Sequence, residues 1–121
     1  MHWLKKPPQD KQLLGREGEQ RALTYLLAAG LIHIDSNFRR PFGEIDLIMQ
    51  DQATLVFVEV RSRKAGRFGG AAASITQAKK RRLVLAAKAY LQRFRAAPPC
   101  RFDVIAIDAG TIEWIKNVIE G

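Results

Sequence analysis

With only one cysteine in 121 residues, the chain lacks the means for two kinds of chemistry. Cys100 has no partner for an internal disulfide, so a reducing, cytoplasmic compartment is expected, and no cysteine-based zinc site can be assembled. The two histidines, His2 and His33, lie too far apart in the chain to suggest a ligand pair. No apolar run approaches the roughly 20 residues that cross a bilayer. The stretch Met1 to Pro8 lacks the apolar core of a signal peptide. Repeats and low-complexity segments are also missing. Acidic side chains are absent from Val60 to Phe102.

That acid-free span carries Arg61, Arg63, Lys64, Arg67, Lys79, Lys80, Arg81, Arg82, Lys88, Arg93, Arg95 and Arg101, within a chain of formal net charge +8. A stretch of one sign attracts polyanions and repels itself unless something offsets the charge. Nucleic acid, DNA foremost, is the expected partner. Anionic lipid is the competitor, but the helix here lacks the Trp- and Phe-rich face of a membrane-surface helix, so no membrane partner is expected. An apolar content of 47% over this length fits one folded domain with a real core. Residues 1–11, polar and proline-containing, read as a flexible arm, leaving 12–121 as the domain.

Apolar spacing at Ala22, Leu23, Leu26 and Leu27 predicts a first helix from Lys11 to Ala29, with Gly30 as its stop. Leu31 to Ile34 leads through Asn37-Phe38-Arg39-Arg40 as a first strand. A hairpin of two further strands follows. Residues 64–74 form a loop with Gly66, Gly69 and Gly70, without the Lys-Ser/Thr ending of a phosphate-binding P-loop. Leu83, Ala86, Ala87, Tyr90, Leu91 and Phe94 mark one stripe of a second helix, Ile75 to Arg95, which Pro98-Pro99 closes. Arg101 to Ile107 is another strand, and Thr111 to Ile115 a short last one. The order is α-β-β-β-α-β, with that extra strand at the end.

Chemistry concentrates in the hairpin. Gly43-Glu44-Ile45-Asp46-Leu47-Ile48 and Leu55-Val56-Phe57-Val58-Glu59-Val60-Arg61 are apolar runs that carry acids where a core strand should carry none. Alternation puts Glu44, Asp46 and Ile48 on one face of the first, and Leu55, Phe57, Glu59 and Arg61 on one face of the second. A turn centred between Gln52 and Ala53 sets Asp46 opposite Glu59 and Glu44 opposite Arg61, with side chains about 5 Å apart. Facing carboxylates repel, and a hard cation, Mg²⁺ or Mn²⁺, placed between them relieves the repulsion. Alternatively, one acid faces solvent and the other is ion-paired across the strands.

Arg61 either stabilises charge on a phosphate or bridges to Glu44; being always protonated, it cannot act as a base. Glu19, on or beside the buried face of the first helix, either reaches the same metal or is a solvated helix residue. Gln77 and Lys79 open the second helix, where free N–H groups favour anions. Lys80, Arg81 and Arg82, with Arg63, Lys64 and Arg67 before them, either contact nucleic-acid phosphates or form a solvated basic face. Trp3 and Trp114 either stack on bases or sit in the core.

The hairpin motifs, with Lys79, the closing Arg101-Phe102-Asp103 and the opening Gly15-Arg16-Glu17-Gly18-Glu19 with Ala22, resemble the YraN-like family of small bacterial proteins. That family is placed in the PD-(D/E)XK nuclease-like superfamily and is similar to archaeal Holliday-junction resolvases. The resemblance covers roughly residues 13–117. It implies a single α/β, restriction-endonuclease-like domain: a mixed central sheet flanked by helices. It implies Asp46 as the first-motif acid, Glu59 and Arg61 as the E-x-K pair, Glu19 as the helical acid and Lys79 or Gln77 as the second-helix polar group. The chain departs from the pattern in carrying Arg61 where lysine is usual. The implied function is a Mg²⁺- or Mn²⁺-dependent endonuclease acting on DNA, structured or branched substrates included. The alternative is a nucleic-acid-binding protein that keeps the fold without cutting. Related resolvases work as dimers, so the resemblance also admits a homodimer.

Overall fold

The computed structural model describes residues 10–63, 75–108 and 111–119, with backbone alone for residues 10–15 and 63. The arm expected over 1–11 lies outside them up to residue 9, and the glycine loop expected over 64–74 lies outside them entirely. The elements run α1 (Asp10–Ala28), β1 (Ile32–Arg40), β2 (Gly43–Asp51), β3 (Thr54–Arg63), α2 (Gln77–Leu91), β4 (Cys100–Asp108) and β5 (Thr111–Ile115). The strands form one sheet in chain order, β1 to β5. All neighbours are antiparallel except β3 and β4, whose parallel pairing requires the crossover that α2 supplies. No helix among the described residues is long and apolar enough to cross a membrane.

Each helix covers one face of the sheet. Ala22 and Leu26 of α1 pack on Leu47, Met49, Val56, Val58, Ile105 and Ile107. Leu83, Ala86, Ala87 and Tyr90 of α2 pack on Phe38, Ile45, Ile48, Leu55 and Phe57. α1 stops where Gly30 takes φ 97°. There Leu31 N–H donates to the Leu26 carbonyl and Gly30 N–H to the Leu27 carbonyl, a Schellman closure that places apolar Leu31 back over the helix.

The hairpin register agrees with the sequence. Asp51 pairs with Thr54 and Leu47 with Val58, so the turn is Gln52-Ala53, with Gln52 at φ 56°. The second helix is shorter than the predicted 75–95. Thr76, in extended conformation, caps it by accepting from Lys79 N–H at 3.1 Å, so the helix begins at Gln77. It ends at Leu91 because the N–H groups of Gln92, Arg93 and Phe94 turn to carbonyls three residues back, tightening the chain before Pro98-Pro99.

Candidate functional site

The middle of β2 does not keep strict alternation. Ile45 pairs with Phe38 and packs with it on the α2 side, while Leu47, only two residues on, packs on the α1 side. The two faces exchange at Asp46, and the β2–β3 ladder ends beside it at Leu47↔Val58. One residue beyond, the Asp46 Oδ2 accepts from Val60 N–H at 2.8 Å. A side chain thus takes over a ladder donor, and the strands are free to diverge around the carboxyl groups. The expected single face of Glu44, Asp46 and Ile48 is therefore corrected: a strand cannot bend away from its neighbour and keep a period of two through the bend.

Asp46 nonetheless meets Glu59, since the two carboxyl groups hydrogen-bond to each other. Glu59 is only 16% exposed. Burial, first of all, and then the adjacent Asp46 carboxylate push its pKa up from the ordinary 4.5 to about 8, against the pull of Arg61 and Lys79. Asp46 is also raised by burial, opposed by its hydrogen bonds from Val60 N–H and Glu59. Burial and their closeness raise both carboxyl groups, so the pair holds a proton to higher pH than ordinary carboxylates do. Arg61 ion-pairs with Glu59 at 3.6 Å, while Glu44 reaches Arg39 on the facing strand at 3.2 Å.

Two glycines bring the helices in. A Cβ on Gly18 would stand 2.7 Å from Ser62 Oγ, so its absence lets α1 lie close on β3. That approach carries Glu19 to the Asp46 carboxylate, whose charge, after burial, raises the Glu19 pKa; the Asn37 side chain bonds Glu19 and lowers it. Asn37 sits at φ 55° in the middle of β1, a conformation that asparagine accepts more readily than most residues. A Cβ on Gly43 would overlap the carbonyl oxygen of Arg82, so β2 starts against the α2 backbone. Between them opens a small cleft of about 110 Å³ lined by Glu44, Glu59, Arg61, Lys79 and Arg82.

Of the residues expected to act, Glu19, Asp46, Glu59, Arg61, Lys79 and Arg82 converge on this place. Gln77, Lys80 and Arg81 do not line the cleft, and Gln77 and Arg81 are exposed. The Arg63 side chain, Lys64 and Arg67 lie outside the described residues. Glu44, Asn37, Gly18 and Gly43 were not expected as parts of the site. An asparagine inside a strand and glycines beside charged residues were the available signals. Trp114, partly buried, packs against the α1-side core: it stands edge-on to Tyr25 at 6.3 Å and donates from Nε1 to Asp103 at 2.9 Å.

No group of three or more His, Cys, Asp and Glu among the described residues is placed to hold a metal ion. A cation placed here would have the two carboxyl groups of Asp46 and Glu59 as its protein donors. Such an oxygen pair fits Mg²⁺ or Mn²⁺, which take one or two carboxylates and fill the remaining positions with water and phosphate oxygens.

A buried acid of the opposite kind lies on the α1 side of the same sheet. Asp103, fully buried, accepts from Arg101 Nε at 3.1 Å on both oxygens, from Trp114 Nε1 at 2.9 Å and from Asn117 N–H at 2.9 Å. Another arm of Arg101 reaches Asp51 at 3.0 Å.

Fold and site together define a small mixed α/β protein with a buried acid pair on its central strands and cations around an adjoining cleft. The sequence model of the group described as "Uncharacterised protein family UPF0102" matches residues 18–107, and the chain belongs to that family. The YraN-like resemblance read from the motifs points to the same family. The chain is 55% identical to a UPF0102 protein of Herminiimonas arsenicoxydans over 98% of its own length and 95% of the relative's. It is 56% identical to one of Janthinobacterium sp. (strain Marseille), covering 95% and 94%. For one of Acidovorax sp. (strain JS42) the identity is 48%, covering 94% and 89%.

Proposed function

We propose that this protein is a metal-dependent endonuclease that hydrolyses DNA phosphodiesters, structured or branched DNA included. The observation that carries the reading is the buried, closely placed Asp46–Glu59 carboxyl pair at the edge of a cleft lined with Arg61, Lys79 and Arg82. A fold gains no stability from two close carboxyl groups in a dry strand; a site that takes up a cation does. Asp46 and Glu59 would hold Mg²⁺ or Mn²⁺, which when bound supplies an acidified water and neutralises charge on the phosphate. Lys79 and Arg82 draw the phosphate into the cleft. Arg61 stabilises the charge that builds on phosphorus in the transition state, and remains protonated throughout. Glu19 adds negative potential behind Asp46 and favours a cation there.

Labelled single-stranded, duplex and four-way DNA incubated with the protein and Mg²⁺ or Mn²⁺ tests the proposal. The native chain should cut and Asp46→Ala should lose about 10³-fold, roughly 4 kcal/mol of transition-state stabilisation. Equal products from both proteins would reject it. Arg61 in the E-x-K position favours a second reading, a nucleic-acid-binding protein that does not cut. Binding that persists in EDTA and in Glu59→Gln, with steep salt dependence and no cleavage, would select it.

A further inference from the structure

Two arginines outside the cleft are held in an arrangement that neither the fold nor the acid pair explains. The Arg40 guanidinium carbon lies 4.1 Å from the centroid of the Phe38 ring, and that of Arg93 lies 5.7 Å from the same centroid. Arg93 also stacks on Tyr90 at 3.7 Å. Each is pinned by its own backbone hydrogen bond, Arg40 Nη1 to the Arg39 carbonyl at 2.7 Å and Arg93 Nε to the Tyr90 carbonyl at 3.1 Å. Both residues are exposed, and neither has a carboxylate partner among the described residues. Two like charges fixed on one ring repel, and an anion between them removes the repulsion. Rigid guanidinium forks match phosphate oxygens in shape as well as charge.

Beside this pair opens an apolar pocket of about 340 Å³, whose walls include Ile34, Gln50, Leu55, Tyr90, Phe94 and Pro98. Tyr90 belongs to both places: its ring carries Arg93 and also lines the pocket. Phe94 is 38% exposed, with its ring 6.1 Å from that of Tyr90. Gln50 adds one polar group, its Nε2 donating to the Gln52 carbonyl at 2.8 Å and its oxygen open to a donor. Apolar walls, two aromatic rings and one amide, with Arg93 stacked on the Tyr90 wall and Arg40 on the neighbouring Phe38 ring, match one nucleotide: a base inside and its phosphate outside.

We propose that Arg40 and Arg93 clamp a backbone phosphate while the adjoining pocket holds an unpaired base, forming a subsite for a single strand of nucleic acid. A paired base cannot leave its stack to enter a pocket without unpairing, whereas a single strand or the open arm of a junction presents bases directly. Arg40 faces Gly43 across the β1–β2 hairpin, and Gly43 backs onto Arg82 of the cleft. From Arg82 to Tyr90 the helix advances about 12 Å, so one strand can reach both places. The inference rests on the nucleic-acid substrate of the function proposed above, not on cutting.

The test is fluorescence polarisation of the full chain with a labelled single-stranded oligonucleotide and the matching duplex, in EDTA so that nothing is cleaved. The native protein should bind the single strand more tightly. Arg40→Gln with Arg93→Gln should weaken that binding at least 10-fold and flatten the log–log salt slope by about 0.7, the value for one phosphate no longer neutralised on a single strand. Phe94→Ala should remove the preference for single strand and leave duplex binding unchanged, since an exposed ring can be truncated without unfolding the chain. Arg93→Lys, which keeps the charge and loses the fork, should fall between native and double variant; it carries the test if the double variant melts early. Unchanged single-strand affinity and slope in the arginine variants would overturn the clamp. Competition by a free mononucleotide at the oligonucleotide's own concentration would overturn the strand and leave a small-molecule site. Single-strand binding that needs Arg40 and Arg93 in a chain that never cuts would reject the nuclease reading and leave the subsite standing.

Discussion

Asp103 and the Asp46–Glu59 pair are acids buried in one sheet, on strands two positions apart or less, and they meet burial in opposite ways. Asp103 is met by donors on both oxygens: a guanidinium, an indole N–H and a backbone N–H. These groups come from β4, β5 and the segment beyond it, so the carboxylate fastens that side of the sheet. Asp46 and Glu59 meet each other, with a backbone N–H on Asp46 and an Arg61 ion pair at 3.6 Å on Glu59. Their burial is answered by a retained proton rather than by a full set of donors. A buried acid with all its partners is a structural fastening; a buried acid that keeps its proton is a place for another cation.

The largest effect separating the two belongs to Asp103. Asp103→Asn conserves volume, yet leaves Arg101 with a neutral amide and turns one acceptor into a donor facing donors. Removing one partner of a buried pair costs about 3–5 kcal/mol, and urea unfolding should show a loss of that order. A loss under about 1 kcal/mol would end the distinction drawn here.

The acid pair should respond with the opposite sign. The Glu59 pKa is raised in the fold, so the folded chain binds a proton more tightly than the unfolded chain does. Below pH 4.5 both states hold that proton and the group contributes nothing. From there up to about 8 the fold loses stability with each pH unit, by as much as about 1.4 kcal/mol, and above 8 the loss levels off. Glu59→Gln removes the ionisation. Its melting temperature should match that of the native chain at pH 4.5 and exceed it increasingly up to pH 8. Mg²⁺ or Mn²⁺ should recover the native chain at pH 8 and leave Glu59→Gln unmoved, because a ligand stabilises only the state that binds it. Parallel melting curves for the two proteins across that range would show that Glu59 is no burden to the fold.

Much of this was legible in the sequence, for physical reasons. Hairpin register follows from turn position, so Asp46 opposite Glu59 could be counted off Gln52-Ala53. The apolar stripe of α2 and the Gly30 stop of α1 are local signals; α1 ends at that stop, and α2 forms on its stripe but within narrower bounds, Gln77–Leu91. The bend at Asp46 was not legible, because alternation is a rule for straight strands and nothing local marks where β2 leaves β3. The turn count across Gln52-Ala53 sets Glu44 toward Arg61, whereas its ion pair with Arg39 belongs to the β1–β2 pairing closed at Pro41-Phe42. The Asp103 network joins residues brought together by β4–β5 pairing and by Asn117 at φ 57°, a closure with no sequence period. Gly18 and Gly43 acquire meaning only once the backbone they admit is in place.

The smallest effect lies with the two arginines, and it divides the clusters most finely. Arg101 addresses Asp103 through Nε and Asp51 through Nη1, using the fork in two directions at once. Lysine cannot reproduce that geometry, so Arg101→Lys should cost about 1.5–3 kcal/mol, the worth of a hydrogen bond to a charged group. Arg61 meets Glu59 at 3.6 Å, too long for a strong directional bond, and what it offers there is charge. Arg61→Lys should therefore leave stability within about 0.5 kcal/mol. Its effect on cleavage carries the further information. If the position supplies charge alone, lysine should alter the rate by no more than a few-fold; if it can also use a proton acceptor, the lysine variant should cut faster, and more so as pH rises. Equal stability losses for Arg61→Lys and Arg101→Lys would mean that the two guanidiniums do the same structural work, and that the cleft is a second fastening.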